Sequence, residues 1–270
     1  MSLPYAEVIG DPIAHSKSPL IHNFWLQKLG IEAEYRKTHV TPDGLAAYFL
    51  QRRGDNDWLG CNVTIPHKVA VMDYTDDPGG VQARIGAMNT IACETGGPLI
   101  GTNTDAGGFL QPLIQRKWKG DHAVLIGAGG AARAILFALA TLGVPKITIM
   151  VRDPAKGRAL LDRADMKGDV ITFADPLPTA DLIANSTSLG MTGQPPLDLD
   201  LSTLPSTATV YDIVYAPIET GLLAAAKARN LATIDGLEML IGQAALAFDI
   251  FFDAEAPREH DDELRALLTA

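Results

Sequence analysis

Four short segments of the sequence carry clusters of hydroxyl, amide and charged side chains near the ends of predicted strands. They are residues 9–19 (IGDPIAHSKSP), 60–68 (GCNVTIPHK), 86–90 (GAMNT) and 101–105 (GTNTD). Serine, threonine and asparagine suit vicinal hydroxyl groups, because they form hydrogen bonds without a charge that needs a counter-ion. Each segment alone is equally well interpreted as a capped turn. Together they favour a site for a polyol whose hydroxyl group is oxidised.

Lys68 and Asp105 are the residues of these segments that could transfer a proton. A hydride leaves a carbinol carbon only if the hydroxyl proton passes to a nearby base. Partial burial brings the pKa of a lysine towards working pH, and a neighbouring carboxylate fixes the lysine while opposing that shift. His15 and His67 have suitable ordinary pKa values. Each histidine is equally well explained as a turn residue or as a partner of a helix end, so Lys68 is preferred.

A glycine-rich segment lies between a predicted buried strand and a predicted alanine-rich helix. Its residues are Gly127, Ala128, Gly129, Gly130, Ala131 and Ala132. In this context the G-x-G-x-x-A pattern predicts a dinucleotide site, where Gly127 makes the tight turn and Gly129 lets backbone amides approach a pyrophosphate. The helix N-terminus also attracts the anion. A turn without a ligand and the nucleoside site of a methyltransferase remain alternatives.

The residues after the next predicted strand bear on the choice of cofactor. Arg152 and Lys156 could flank the extra phosphate of NADP, whereas an NAD site usually presents a carboxylate there. Asp153 would repel that phosphate unless it turned away or paired with Arg152. Alternatively, Asp153 caps the following helix. The segment favours NADP and leaves NAD open.

Short strand-like segments alternate with helical segments along the whole chain, which is typical of βαβ units in a parallel sheet. A first series starts with a strand over residues 6–9 and a helix for which Ser18 is the expected N-cap and Pro19 the first helical residue. A second series starts with a strand over residues 122–126. The pattern predicts an α/β protein with two domains.

Composition limits the compartment and the partners. The chain has 270 residues, 47% of them hydrophobic, and a net charge of -10, which argues against general affinity for nucleic acid or an anionic membrane. Cys61 and Cys93 have no metal-ligand spacing, and the first residues lack the features of a signal peptide. No apolar segment approaches the roughly 20 residues that span a membrane. We therefore expect a cytoplasmic protein without a metal site.

Eight motifs, in order along nearly the full chain, resemble those of the shikimate dehydrogenase family. They are PIxHSxSP, NVTxPxK, AxNT, GxNTD, GAGGAxR, NxTSxGM at 185–191, YDxxY at 211–215 and DGLxMLxxQA at 235–244. The resemblance implies two α/β domains with a cleft between them. It also implies reversible reduction of 3-dehydroshikimate to shikimate with NADPH, in aromatic amino acid biosynthesis.

The resemblance assigns roles to individual residues in the polar segments. It implies that Ser16 and Ser18 bind the substrate carboxylate. By the same resemblance Thr64, Asn89 and Gln243 would hold ring hydroxyls, and Tyr215 would close the site from the far lobe. Lys68 and Asp105 become the catalytic pair, in which the lysine relays the proton and the aspartate orients it and the substrate.

The implied cofactor site combines the glycine-rich segment with residues further along the chain. Its residues are Gly127, Ala128, Gly129, Gly130, Ala131, Arg152, Lys156, Ile213 and Gly236. Gly190, Met191, Ile213 and Gly236 match positions that the family uses near the nicotinamide. Met191 and Ile213 could equally be ordinary core residues.

The resemblance also implies a discontinuous first domain, because Gln243 must reach the substrate. The predicted substrate-binding catalytic domain comprises residues 1–105 and 236–270, and the predicted NADP-binding, Rossmann-like domain comprises residues 106–235. The boundary near residue 105 is expected around Gly107-Gly108. The expected partners are shikimate and 3-dehydroshikimate, and both a monomer and a homodimer are open.

Three features bear on alternatives within and beyond the family. Ala106 replaces a common glycine, which matters only if the backbone there needs a positive φ. The sequence VRD at 151–153 replaces the usual NRT, so NAD remains possible, while Ser16 and Ser18 favour shikimate over quinate. The alternatives are an NAD-using quinate or shikimate dehydrogenase of a catabolic route and a non-catalytic dinucleotide-binding regulator. A regulator would not need a proton-transfer pair.

Overall fold

The computed structural model describes residues 2–93 and 97–270 of the chain. The chain divides into two compact units, one comprising Met1–Thr104 with Gln243–Ala270 and the other Asp105–Gly242. The first unit is therefore built from both ends of the sequence. Within the described residues, no helix is both long enough and apolar enough to cross a membrane.

The first unit contains a mixed sheet. Its elements up to residue 104 are β1 (Tyr5–Gly10), α1 (Ser18–Leu29), β2 (Glu34–His39), α2 (Leu45–Arg52), β3 (Trp58–Val63), α3 (Val81–Arg84), β4 (Thr90–Cys93) and β5 (Leu99–Thr102). The strand order is β2-β1-β3-β4-β5. Strand β1 is parallel to β2 and β3, as predicted, whereas β4 is antiparallel to β3 and β5. A parallel β4–β5 pair would need a crossover of about a dozen residues or more, and the chain between these strands is shorter.

The second unit contains a parallel sheet. The elements from residue 105 onward are α4 (Asp105–Gln115), β6 (His122–Ile126), α5 (Gly130–Thr141), β7 (Lys146–Met150), α6 (Pro154–Arg163), β8 (Gly168–Ile171), β9 (Leu182–Asn185), β10 (Thr209–Asp212), α7 (Gly221–Ala228), β11 (Ala232–Ile234), α8 (Gly236–Phe252) and α9 (Asp261–Thr269). Helix α9 and the part of α8 from Gln243 onward belong to the first unit. The strand order is β11-β10-β9-β6-β7-β8, and every neighbouring pair is parallel. The order reverses between β6 and β9. In open α/β sheets such a reversal leaves a crevice at the carboxyl ends of the strands, where dinucleotides bind.

The core of the second unit explains why its strands are so apolar. Val124, Ile183 and Val210 come from three adjacent strands and are fully buried together with Leu222 and Ala226 of α7. Strands of a parallel sheet are covered on both faces, so they are continuously hydrophobic rather than alternating. The predicted α/β class is confirmed by this architecture.

The start of α1 differs from the sequence prediction by one position. The N-cap is Lys17, Ser18 is already helical, and Pro19 lies in the first turn. The Ser16 hydroxyl accepts a hydrogen bond from the backbone N–H of Ser18 at 3.3 Å. The prediction of Ser18 as the N-cap was wrong, because Lys17 has backbone dihedrals close to helical values (φ -89°, ψ -4°).

Helix α4 occupies a segment that the sequence did not predict to be helical. Gly107 and Gly108, expected near a domain boundary, lie inside it. A Cβ atom placed on Gly242 would be only 3.2 Å from the Cα atom of Gly108, so α4 and α8 approach closely at these glycines. Ala106 lies in the same helix, where φ is negative. The departure from the family glycine therefore needs no special backbone conformation.

A buried carboxylate lies in the middle of the first sheet. Glu7 of β1 is fully buried and accepts hydrogen bonds from Arg52 Nε at 2.6 Å and from the Tyr48 hydroxyl at 2.8 Å. The Thr38 hydroxyl is a third donor. A buried charge is tolerated when its partners satisfy it, and removing one partner leaves the other uncompensated.

We expect Glu7→Gln to lower the free energy of unfolding by about 3 kcal/mol, because the Arg52 guanidinium would lose its buried counter-ion. Urea denaturation followed by circular dichroism measures the change. Lys227→Gln is the matched control, since it removes an exposed ion pair with Glu219 and should change stability by less than about 0.5 kcal/mol. Equal effects of the two substitutions would contradict the prediction.

Candidate active site

A buried hydrogen-bond network surrounds Asn89, the residue before β4. Asn89 Nδ2 donates to Thr104 Oγ1 at 2.9 Å and to Gln243 Oε1 at 3.4 Å. Asn89 Oδ1 accepts from the backbone N–H of Thr104 at 2.7 Å. All three side chains are buried. The first unit thus brings together Asn89 and Gln243, two of the predicted substrate residues, although they are far apart in sequence.

A second layer of hydrogen-bonded side chains, from Tyr35 and Asn62, supports Asn89. The Tyr35 hydroxyl donates to Asn62 Oδ1 at 2.6 Å, and Asn62 Nδ2 donates to Thr90 Oγ1 at 2.9 Å and to the Asn89 carbonyl at 3.2 Å. Sequence reasoning did not assign a role to Tyr35 or Asn62. The NVTxPxK motif was a signal for Asn62, whereas an isolated tyrosine in a strand gave none for Tyr35.

His22 of α1 packs against this second layer. Its ring stacks on Tyr35, with ring centroids 3.9 Å apart and an interplanar angle of 4°. Both ring nitrogens are buried, and no residue in the described part of the chain is a hydrogen-bond partner to them. Burial lowers the pKa of His22 to about 3. The imidazole is therefore neutral in the folded protein at ordinary pH.

Lys68 and Thr104, the residue before Asp105, are hydrogen-bonded to the same short segment, Met88-Asn89. The Lys68 carbonyl accepts a hydrogen bond from the backbone N–H of Met88 at 2.7 Å, and the Lys68 side chain is half-buried. Asp105 is buried and directly follows Thr104, which Asn89 holds by its main chain and side chain. A carboxylate at the first residue of α4 is favourable, because helix N-termini carry partial positive charge.

The histidines of the polar segments have other positions. His67 is buried, and its Nε2 atom forms a hydrogen bond with the Val40 carbonyl at 2.6 Å. His15 is exposed in the loop after β1. His67 is thus engaged within the fold, which favours Lys68 as the proton carrier. Across residues 2–93 and 97–270, no cluster of three or more His, Cys, Asp or Glu side chains could hold a metal ion.

The remaining predicted substrate residues of the first unit lie after β1 and β3. The backbone N–H of Thr64 donates to the Ile9 carbonyl at 2.9 Å. A Cβ atom placed on Gly10 would be 2.5 Å from Thr64 Cγ2, so glycine allows the threonine side chain to pack on the end of β1. Ser16 and Ser18 follow in the loop that leaves β1 and in the first turn of α1.

The glycine-rich segment lies where the strand order of the second sheet reverses. Gly127, Ala128, Gly129, Gly130 and Ala131 form the turn after β6 and the start of α5. Gly127 has φ +107°, and a Cβ atom there would be 2.6 Å from Ser186 Oγ. By contrast, no heavy atom of the described residues lies within 4 Å of a Cβ atom placed on Gly129. The first glycine is thus required by the fold, and the second leaves open space above the turn.

The end of β7 presents two cations and one carboxylate that is already engaged. Asp153 is the N-cap of α6, and its Oδ1 atom accepts from the backbone N–H of Ala155 at 3.0 Å. Arg152 and Lys156 are exposed, and neither forms an ion pair within the described part of the chain. The interpretation of Asp153 as a helix cap is confirmed. Because the Asp153 carboxylate caps the helix, the side chains of Arg152 and Lys156 can bind an anion.

The ends of β10 and β11 meet at another close backbone approach. A Cβ atom placed on Gly236 would be 2.4 Å from the Ile213 carbonyl oxygen and 2.5 Å from that of Val214. Only glycine fits there. Tyr215 follows directly and is partly buried, and burial raises the pKa of its hydroxyl. The predicted residues Ile213, Tyr215 and Gly236 are therefore neighbours in the second unit.

Comparison with known families agrees with this arrangement. A family model described as "Shikimate dehydrogenase substrate binding domain" matches residues 8–91, and one described as "Shikimate 5'-dehydrogenase C-terminal domain" matches residues 236–261. A curated relative from Sphingopyxis alaskensis, named "Shikimate dehydrogenase (NADP(+))", is 60% identical over 267 residues, which cover 99% of this chain and 97% of the relative.

Two solved structures are similar over nearly the whole chain. Shikimate 5-dehydrogenase from Thermus thermophilus, in complex with NADP(H) and shikimate, has a TM-score of 0.86 and 32% identity, covering 99% of this chain and 100% of that one. Quinate dehydrogenase from Corynebacterium glutamicum, in complex with NAD, has a TM-score of 0.86 and 29% identity, covering 98% of this chain and 99% of that one.

We expect His22 to make folding stability depend on acid pH. Because its folded pKa of about 3 lies below its ordinary value of 6.5, its contribution is complete above pH 6.5 and is lost as pH falls towards 3. Chemical denaturation between pH 7 and pH 3.5 should show that the wild type loses about 1 kcal/mol per pH unit more than His22→Phe. The control is His15→Gln, a substitution of an exposed histidine, which should follow the wild type. Identical pH profiles for wild type and His22→Phe would refute this role.

Proposed function

The chain belongs to the shikimate dehydrogenase family and is an NADP-dependent oxidoreductase of shikimate, and we propose that Lys68 and Asp105 are its proton-transfer pair. The reaction is the reversible reduction of 3-dehydroshikimate to shikimate. When bound, NADPH supplies the hydride that reaches the carbonyl carbon. The protein must supply the proton that reaches the carbonyl oxygen, and take it back in the reverse direction.

The observation that carries this proposal is the attachment of Lys68, and of Thr104 directly before Asp105, to Met88-Asn89. The Met88 N–H binds the carbonyl of Lys68, and the Asn89 side chain binds both polar groups of the residue before Asp105. Two adjacent residues therefore restrain the main chain at Lys68 and at the residue that precedes Asp105. Catalytic groups need such restraint, because small misplacements cost large factors in rate.

The two side chains suit complementary roles. An ammonium group can donate its proton to the developing alkoxide during reduction and accept a proton as a neutral amine during oxidation. A buried carboxylate cannot be satisfied by bulk water, so it attracts donors such as an ammonium or a substrate hydroxyl. We therefore assign proton relay to Lys68 and orientation to Asp105.

The substrate residues follow from the same polar surface. We assign Ser16 and Ser18 to the substrate carboxylate, since hydroxyl donors can bind a carboxylate in a protein of net negative charge. Thr64, Asn89 and Gln243 are assigned to the ring hydroxyls, and Tyr215 is assigned to the substrate from the second unit. The buried network around Asn89 supports this assignment, because it fixes the amide groups before the substrate arrives.

The second unit supports assignment of the cofactor to its switch point. We assign the pyrophosphate to the turn from Gly127 to Ala131, and the extra phosphate of NADP to Arg152 and Lys156. Capping of α6 by Asp153 supports the use of NADP, because it turns the nearby carboxylate to a backbone N–H. Ile213 and Gly236 are assigned to the nicotinamide half.

These assignments give each part of the chain a function. We propose that the predicted domain of residues 1–105 with 236–270 binds the substrate and that residues 106–235 bind NADP. Asp105 and residues 236–242 belong to the second compact unit, and of these Gly236 is assigned to the cofactor. We also propose a cytoplasmic location, which the thiol state of Cys61 and Cys93 supports. Shikimate, 3-dehydroshikimate and the nucleotide are the partners of this assignment.

We expect Lys68→Met to reduce kcat for shikimate oxidation by about 100-fold to 10,000-fold, because the variant lacks the group that carries the proton. Asp105→Asn should also reduce kcat, because the carboxylate that orients the lysine and the substrate is lost. Steady-state absorbance of NADPH measures both. The control is Lys119→Met, which removes an exposed lysine and should leave kcat unchanged. A Lys68→Met variant that binds shikimate and keeps the wild-type kcat would exclude the proposed pair.

The two glycines of the turn separate folding from nucleotide binding. We expect Gly129→Ala to fold normally, because its Cβ atom meets open space, and to bind NADP at least about tenfold more weakly, because the methyl group enters the space of the pyrophosphate. Gly127→Ala should instead unfold at lower temperature, by reason of its positive φ and the contact with Ser186. Fluorescence titration and thermal melting measure the two effects. Wild-type NADP affinity in Gly129→Ala would argue that the turn does not hold the pyrophosphate.

A further inference from the structure

A carboxylate without a charged partner is buried at the end of β10. Asp212 is fully buried and accepts hydrogen bonds from Asn185 Nδ2 at 2.9 Å, from Thr220 Oγ1 at 2.7 Å and from the backbone N–H of Val214 at 3.1 Å. No cationic side chain in the described part of the chain pairs with it. Burial raises the pKa of this carboxyl group. A buried carboxyl group without a charged partner lowers stability, which suggests that Asp212 has a functional role.

The Asn185 side chain extends this network into the loop after β9. Asn185 Oδ1 accepts from the backbone N–H of Thr187 at 3.0 Å and from its hydroxyl at 2.7 Å. The hydroxyl of Thr187 accepts from the Leu189 N–H at 3.1 Å, and Asn185 Nδ2 donates to the Leu189 carbonyl at 3.2 Å. The loop leads directly to Gly190, which has φ +86°. Asp212 thus orients the amide that shapes the loop.

The other two donors to Asp212 belong to the segment after β10. Val214 lies in the backbone stretch that packs against Gly236. Thr220 is the N-cap of α7, where its hydroxyl accepts from the Leu223 N–H at 3.2 Å while donating to the carboxylate. One carboxylate therefore joins the loop after β9, the segment after β10 and the start of α7.

The position of this junction in the sheet indicates what it serves. Strands β9 and β10 lie on the far side of the strand reversal from β7 and β8, and the glycine-rich turn lies at the reversal itself. A dinucleotide bound across such a reversal places one nucleotide half over each side of the sheet. Arg152 and Lys156 lie at the β7 side, which leaves the carboxyl ends of β9 and β10 to the nicotinamide half.

We propose that Asp212 is a positioning residue, which holds the segments after β9 and β10 in the arrangement that receives the nicotinamide. This inference rests on the proposed function. A carboxylate suits the position because all three of its partners are donors. An asparagine would direct an N–H group at one of them and leave a buried donor without an acceptor.

The test compares the whole nucleotide with its adenosine half. We expect Asp212→Asn to reduce kcat by about 100-fold and to weaken NADP binding, because the nicotinamide is misplaced. Binding of 2′,5′-ADP, which lacks the nicotinamide half, should stay within about twofold of the wild type. Thr220→Val, which removes the hydroxyl, should show the same pattern to a smaller extent. Thr220→Ser keeps the hydroxyl and should restore wild-type behaviour.

Two outcomes would overturn the inference. One is an Asp212→Asn variant with wild-type kcat and NADP affinity. The other is an equal loss of NADP and 2′,5′-ADP binding, which would mean that Asp212 maintains the unit in general. A wrong functional proposal would give a different result. In that case the wild-type protein itself would fail to bind 2′,5′-ADP or to oxidise shikimate.

Discussion

The side-chain amide of Asn89 is the interaction on which the proposed chemistry depends. Its oxygen and nitrogen both bind Thr104, and its nitrogen also reaches Gln243. Buried amides must have partners, and this one finds them in segments from the middle and the end of the sequence. The groups that we propose meet the substrate are consequently part of the polar core of the first unit. Their geometry is determined when the unit folds.

The two units satisfy their buried polar side chains with different kinds of hydrogen-bonding groups. Around Asn89 the first unit uses neutral amides and hydroxyls, among them the hydroxyl of Tyr35 and the amide of Asn62. The second uses the carboxylate of Asp212, which accepts from three donors without a cation. In both cases the loss of one polar side chain would leave buried partners without a hydrogen bond. The polar groups thereby specify one arrangement of loops at the ends of strands.

Local signals explain which elements the sequence predicted. The turn after β6 was predicted because an apolar strand, the G-x-G-x-x-A pattern and an alanine-rich helix follow one another directly. Helix α4 was not predicted, since Gly107 and Gly108 disfavour a helix. The packing role of Gly108 depends on Gly242, which is distant in sequence. The antiparallel strands β4 and β5 are short and depend on their neighbours. The role of the Tyr35 hydroxyl likewise depends on its hydrogen bond to Asn62. No sequence pattern around residue 35 predicts that bond.

The discontinuity of the first unit has a consequence for the newborn chain on the ribosome. Tyr35 and Ala6 of the early strands share a hydrophobic cluster with Ala247 and Phe251 of α8. The early strands are therefore synthesised before the residues that complete their core. By contrast, the second unit is complete once Gly242 has been synthesised. A chain still being translated can finish its later unit first. Until Ala247 and Phe251 have been synthesised, the apolar side chains of the early strands lack the residues that cover them.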